Sequence, residues 1–364
     1  MNKYNSDKRI KKKSRSTRNI ISVIFLSLVA LLALSFCIAL LLTNAQLRKE
    51  EEAIKSELDT INQEGYYTTS QTQQMIDEAV AEAESETKKS ILEQFKSLLT
   101  SGQSTIAAIR AMFTDQLVVA DSGNYYFFPI TDELAANGFN SEDFTLSENG
   151  IMSYTGTDSA VSGELGIDVS KFQGEIDWEK VAAAGVKYAF IRVGLRGSTE
   201  GALLEDDNFV TNIEGAIENG IDVGVYFYTQ AITVEEAKEE AQFVLDLIEP
   251  YNITYPIVLD VESTESSESR TSGLSQETYT ECAKAFCEMV STAGYTPMIY
   301  GNVKSFTLLL DMTQLTDYEV WIAYYGTEQY YPYAFDIWQY SSEGVIDGID
   351  GDVDLNISVT DYTP

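Results

Sequence analysis

TYPIVLDVE, Thr254 to Glu262, decides how this chain is read. Ile257, Val258 and Leu259 form the short apolar run of a strand covered on both faces, the pattern of a parallel sheet. The run stops on two carboxylates, Asp260 and Glu262, and the polar loop STESSESRTSG follows. Residues two apart on a strand point to the same face, roughly 6.5–7 Å along the chain. Asp260 and Glu262 therefore project together from the strand's C-terminal end, where the chemistry of a β/α barrel sits. Two carboxyls held close separate their pKa values, so that one stays protonated and the other ionises. A D-x-E taken alone is more often a solvated pair at a loop edge, so the rest of the chain has to choose.

Outward from this strand, short apolar runs alternate with helical stretches. The strand candidates are 165–170, 187–194, 222–228, 255–262, 296–302, 319–326, 335–341 and 352–359. Helical patterns fall at about 177–185, 206–219, 233–250, 275–293 and 303–310, and Gly185, Gly220 and Gly294 stand where left-handed C-caps belong. This order predicts an α/β fold, a compact TIM-like barrel of eight strands and about five helices over residues 164–364. Missing late helices account for its shortness. Asp168 closes the first strand, Tyr226 and Tyr228 the third, Asp260 and Glu262 the fourth, and Trp338 and Tyr340 the seventh; Asp354 lies in the last. Barrel closure makes the first and last strands neighbours, so these acids converge.

Tyr226, Tyr228, Tyr324, Tyr325, Trp338 and Tyr340 lie at or near these strand ends, which makes them candidates to line a groove there. For Phe227, Trp321 and Phe335 the expectation is core packing. There is no histidine, which excludes Ser-His-Asp and Cys-His catalysis and leaves carboxylates as the main acid/base groups. No cofactor or metal is called for: the glycines at 344–351 lack a phosphate-loop pattern, and GDVDLN lacks EF-hand spacing.

GIDVSKFQGEIDWEKVAAAGVKYAFIRVG, DVGVYFYTQA, YPIVLDVE, IWQYSSEG and GDVDLN together resemble the glycoside hydrolase family 25 lysozymes, the N-acetylmuramidases. The likeness runs from about Leu165 to Val359 in the family's order. It implies a peptidoglycan hydrolase cleaving the β-1,4 bond between N-acetylmuramic acid and N-acetylglucosamine. Glu262 matches the catalytic acid and Asp260 the supporting carboxylate. Asp168 and Asp354 match the acidic residues of the first and last strands, and Tyr228 and Trp338 would line the sugar groove. YFY departs from the histidine that many members place between these aromatics. A chitinase-like enzyme fits less well, because Pro256 to Leu259 stand where its further acids would be.

The N-terminal part is of another kind. Residues 1–19 are a basic tail, with eight Lys/Arg against one acid in the first 18. Ile20 to Leu42 is 23 residues without a charge, enough to span a bilayer. A signal peptide's apolar core is shorter, about 7–15 residues. The positive-inside rule therefore predicts an uncleaved single-pass type II anchor in the cell membrane, with the catalytic domain extracellular. Residues 43–118 are helix-rich and polar; Leu47, Ile54, Leu58 and Ile61, then Ile91, Phe95 and Leu98, form short seams interrupted at Gly65-Tyr66-Tyr67. They predict a helical stalk that either stands alone or pairs as a coiled coil into a homo-oligomer. Residues 119–163, with YYFFPI as one strand, form a small adaptor or linker. Net charge is −33 overall and −40 beyond residue 18, so the body repels nucleic acid, and the expected partners are peptidoglycan glycan strands and the membrane.

Overall fold

The computed structural model describes residues 4–63, 69–264 and 266–362. The chain forms two compact units, Met1–Met112 and Phe113–Pro364. Its first unit contains three helices among the described residues, α1 (Tyr4–Gln63), α2 (Thr69–Thr100) and α3 (Thr105–Met112). Within α1, the segment beginning at Leu26 is long and apolar enough to cross a membrane, and Leu26, Leu28, Leu32, Leu34 and Leu41 are all exposed. From Tyr4 onward the expected tail, span and first stalk segment are one unbroken helix. α1 and α2 pack on each other and bury Leu47 and Ile76, while Ile54, Ile91, Phe95 and Leu98 are half-buried. The expected break at Gly65-Tyr66-Tyr67 lies outside the described residues.

The second unit opens with two antiparallel hairpins, β1 (Gln116–Asp121) with β2 (Asn124–Pro129), and β3 (Phe144–Leu146) with β4 (Met152–Tyr154). The helical stalk thus ends six residues before its expected boundary. Both hairpins lie on the outside of the barrel. Val118 N–H donates to the Tyr330 hydroxyl at 2.7 Å, and the Phe144 ring meets Trp338 edge-on at 5.4 Å.

All eight expected barrel strands form: β5 (Glu164–Val169), β6 (Tyr188–Arg196), β8 (Asp222–Tyr228), β9 (Ile257–Asp260), β10 (Pro297–Asn302), β11 (Glu319–Ala323), β12 (Ile337–Gly344) and β13 (Val353–Ser358). Pairing of β5 with both β6 and β13 closes the ring, and β7 (Leu203–Glu205) extends β6 as a short antiparallel flap. Seven strands run parallel; β13 runs antiparallel to both neighbours. α4 (Trp178–Ala183), α5 (Phe209–Glu218), α6 (Val234–Ile248) and α7 (Gln276–Thr292) cover the outside, and a π-helical turn, Ser305–Leu309, stands where a fifth helix is expected. Thr233 and Ser275 cap α6 and α7 by accepting from Glu236 N–H and Thr278 N–H.

Alternation along each strand sorts side chains into two layers. Ile167, Ile191, Val225, Leu259, Ile299 and Ile322 point out to the helices and are buried there. Tyr188, Phe190, Tyr255, Val258, Met298 and Trp321 point in. Phe190 stacks on Trp321 at 4.4 Å and Tyr188 on Tyr255 at 4.5 Å. These rings occupy space that two glycines vacate: a Cβ on Gly166 would stand 2.1 Å from the Tyr188 ring, and one on Gly224 2.3 Å from Phe190. Each such ring buried contributes about 1.5–3 kcal/mol. The aromatic layer fills the interior from below and leaves room only at the mouth.

Candidate active site

A cavity of about 520 Å³ opens at the C-terminal end of the parallel strands. Asp168, Asp260, Glu262 and Asp354 all line it, together with Tyr226 and Tyr228. The sheet's periodicity places them. Asp260 continues the inward positions of β9 after Val258, and Glu262 lies two residues further, just past the strand's end. Asp168 holds the inward position of β5. Asp354 begins its strand rather than ending it. Because β13 runs antiparallel, its first residues reach the same mouth, and Asp354 stands directly opposite Asp168 in the register.

The four carboxyls differ in their surroundings. Oδ2 of Asp168 accepts from Gln339 Nε2 and from Asn356 Nδ2, each at 2.8 Å. Asp260 is buried, and its Oδ1 has no hydrogen-bond partner among the described residues. Glu262 is half-buried at the wall. Burial raises the pKa of all four. At Asp168 the nearby Asp354 adds to this, against the two amide donors; at Asp260 it is Glu262 and then Asp168, with Arg192 opposing. Burial raises Glu262, and burial with the Glu262 charge pushes Asp354 up to about 6. Like charges this close do not all ionise together, so the cluster keeps a proton at a pH where a lone carboxyl has lost it.

The neutral groups around the acids form a chain of hydrogen bonds. Tyr300 donates to Gln339 Oε1 at 2.8 Å, and Tyr325 donates to the same atom at 3.2 Å. With both Oε1 contacts fixed, Gln339 presents its amide N–H to Asp168. Trp321 Nε1 donates to Asn356 Oδ1 at 2.8 Å, which orients Asn356 in the same way. Arg192 also lines the cavity, paired with the buried Asp206 through Nε at 2.7 Å and lying 5.0 Å from the ring of the exposed Phe172. Among the described residues, no group of three or more His, Cys, Asp or Glu is arranged to hold a metal ion.

Three of the aromatics expected in the groove are elsewhere. Trp338 and Tyr340 occupy the outward positions of β12, buried under the β3–β4 hairpin. Trp338 Nε1 donates to the Tyr324 carbonyl at 2.6 Å, and the Tyr340 hydroxyl accepts from Met152 N–H at 3.1 Å. Tyr324 lies off the cavity beside Tyr330, whereas its neighbour Tyr325 lines it. The inward residue of β12 is Gln339. Phe227 and Phe335 pack in the outer core as expected; Trp321 is equally buried but forms the cavity's floor. Gln339, Asn356 and Arg192 escaped the sequence reading. Their signal was a polar residue at an inward position of an apolar strand, as in IWQY, DLNI and FIRVG.

The family model described as Glycosyl hydrolases family 25 matches residues 167–349. The chain belongs to this family. Among relatives, the protein YegX of Escherichia coli (strain K12) is 31% identical over 202 residues, covering 53% of this chain and 68% of YegX. Lysozyme M1 of Streptomyces globisporus is 30% identical over 210 residues, covering 54% of this chain and 67% of the lysozyme. Among solved structures, the modular autolysin LytC from Streptococcus pneumoniae superposes with a TM-score of 0.50 at 27% identity, over 66% of this chain and 51% of LytC. The match thus spans about half of LytC's length. Family membership makes the protein a glycoside hydrolase of lysozyme type, with the cavity at the expected mouth of the family 25 barrel.

Proposed function

We propose that the protein hydrolyses peptidoglycan at the β-1,4 bond between N-acetylmuramic acid and N-acetylglucosamine, with Glu262 as general acid and Asp260 as its partner. The observation that carries this reading is the convergence of Asp168, Asp260, Glu262 and Asp354 on one cavity edged by Tyr226 and Tyr228. Glycoside hydrolysis needs a carboxyl that keeps its proton and a second that supports an oxocarbenium-like state. Glu262 lies nearer the mouth than Asp260, within reach of a glycosidic oxygen. Its proton passes to that oxygen as the C1–O bond breaks. Positive charge then spreads over C1 and the ring oxygen beside Asp260. A water completes the reaction at C1 and returns a proton to the carboxylate. The unpartnered Oδ1 of Asp260 is free to take a hydrogen bond from the substrate's acetamido N–H or to face the cationic carbon.

The apolar stretch within α1 fits a type II anchor that leaves the enzyme outside the membrane, tethered for remodelling the cell's own wall. The acidic body gives no electrostatic attraction to an anionic wall, so affinity rests on stacking and hydrogen bonds. The test incubates residues 113–364, wild type beside Glu262→Gln, with purified peptidoglycan. Released sugars are reduced with borohydride and read by mass spectrometry. New reducing-end muramic acid from the wild type alone is the expected result. Binding of wall fragments with no new reducing ends from a folded wild type would replace this reading with that of a glycan-binding scaffold.

A further inference from the structure

Residues 113–163 lie outside the family match, yet they form one wall of a second cleft beside the catalytic cavity. This cleft measures about 530 Å³. It shares Thr264 with the catalytic cavity, and Ser263, the residue directly after Glu262, also lines it. Its far wall is the turn of the β1–β2 hairpin, Asp121 and Ser122. Asp121 is ion-paired with Lys304 across the cleft, which fixes the hairpin turn to the barrel. Ser122 takes a left-handed φ of 48°, so the turn is tightly wound where it meets the cleft.

The lining has the chemistry of a carbohydrate site. Leu308, Leu309 and the Tyr279 ring supply apolar surface, and Ser122, Ser263 and Ser272 supply hydroxyls that make no hydrogen bond to other described residues. A sugar ring presents an apolar face and a rim of hydroxyl and acetamido groups, and this mixture meets both needs. The cleft's one cation and one anion are already paired with each other, which favours a neutral ligand over a charged one. The geometry points to an added subsite for N-acetylated sugar units, in which the β1–β2 hairpin binds the glycan strand beyond the units held in the catalytic cavity. The inference rests on the proposed substrate class, and it makes the N-terminal hairpin a specificity element of the enzyme.

The experiment measures binding rather than turnover, so a failure of the proposed cleavage leaves it standing. The full chain carrying Glu262→Gln, in detergent micelles, is titrated calorimetrically with β-1,4 strands of alternating N-acetylglucosamine and N-acetylmuramic acid whose lactyl carboxyls are capped as neutral amides. Strands of two, four and eight sugars are compared. Affinity is expected to rise about tenfold between four and eight sugars. Adding Ser272→Trp, which fills the second cleft, removes that rise. Lys304→Met, which releases the hairpin turn from the barrel, is the second variant and removes it by a different route. A rise that persists in both variants overturns the proposal, as does the absence of any rise in Glu262→Gln itself.

Discussion

Both ends of the barrel carry buried or half-buried acids among tyrosines, but the two ends treat them differently. At the N-terminal end, Glu164 accepts from the Tyr255 hydroxyl at 2.9 Å and Glu319 from the Tyr362 hydroxyl. Each of these acids has its own neutral donor. At the mouth, four acids face one another, and Asp260 retains a buried oxygen with no partner among the described residues. Burial, with the nearby Asp336 charge adding to it, raises Glu319 to about 7 against the pull of the Tyr362 hydroxyl, so its shift comes with a satisfied hydrogen bond. The shifts at Asp168, Asp260 and Asp354 come from burial plus neighbouring negative charge. A raised carboxyl pKa is therefore not by itself a mark of catalysis. What sets the mouth apart is four acids facing one cavity, with a buried carboxylate oxygen left without a donor.

The strongest test of this contrast exchanges one acid at each end. Glu262→Gln is expected to lower kcat by at least about 10³-fold, the scale of losing a general acid, while Glu319→Gln leaves turnover within about twofold. Reducing-end release from peptidoglycan checks both, and equal losses would erase the distinction. Asp260→Asn is next, with kcat down about 10²-fold and KM little changed, because the charge that supports the transition state is gone.

Asp354→Asn should act on stability as well as on rate. Its folded-state pKa is raised from 3.8 to about 6, so wild-type stability is fully present below about 4 and falls as pH rises through 6. The asparagine variant escapes that loss. Its melting temperature is expected to match wild type at pH 4 and exceed it above pH 6, by a stability difference on the order of 1–3 kcal/mol. Tyr362→Phe at the opposite end works the other way. It strips Glu319 of its donor and costs about 1 kcal/mol, more above pH 7, where Glu319 is ionised, with turnover unaffected. Thermal denaturation across pH 4 to 8 measures both.

The residues legible in advance were those fixed by local period and end signals. Asp260 and Glu262 share a face because a strand alternates, whatever it packs against. Gly185, Gly220 and Gly294 do end helical segments in positive φ, at 98°, 72° and 90°. Trp338 and Tyr340 were misplaced for an equally physical reason. Period two states which residues lie together but not which side is the interior. On β12 the usual rule is inverted at the mouth: the large aromatics face the outer core under the β3–β4 hairpin, and the polar Gln339 faces in to reach Asp168.

The sequence by itself determined the eight strands, the helices between them, the apolar stretch within α1 and the pairing of Asp260 with Glu262. All of these follow from interactions within a few residues along the chain. Only the tertiary structure decided that β13 runs antiparallel and so brings Asp354 to the mouth, opposite Asp168. It alone placed Gln339 and Asn356 on one oxygen of Asp168, across 171 and 188 residues of chain. It alone set the β1–β2 hairpin beside the active site. Closure of the ring joins residues that no local pattern connects, and the burial this produces is what shifts the acids' pKa values.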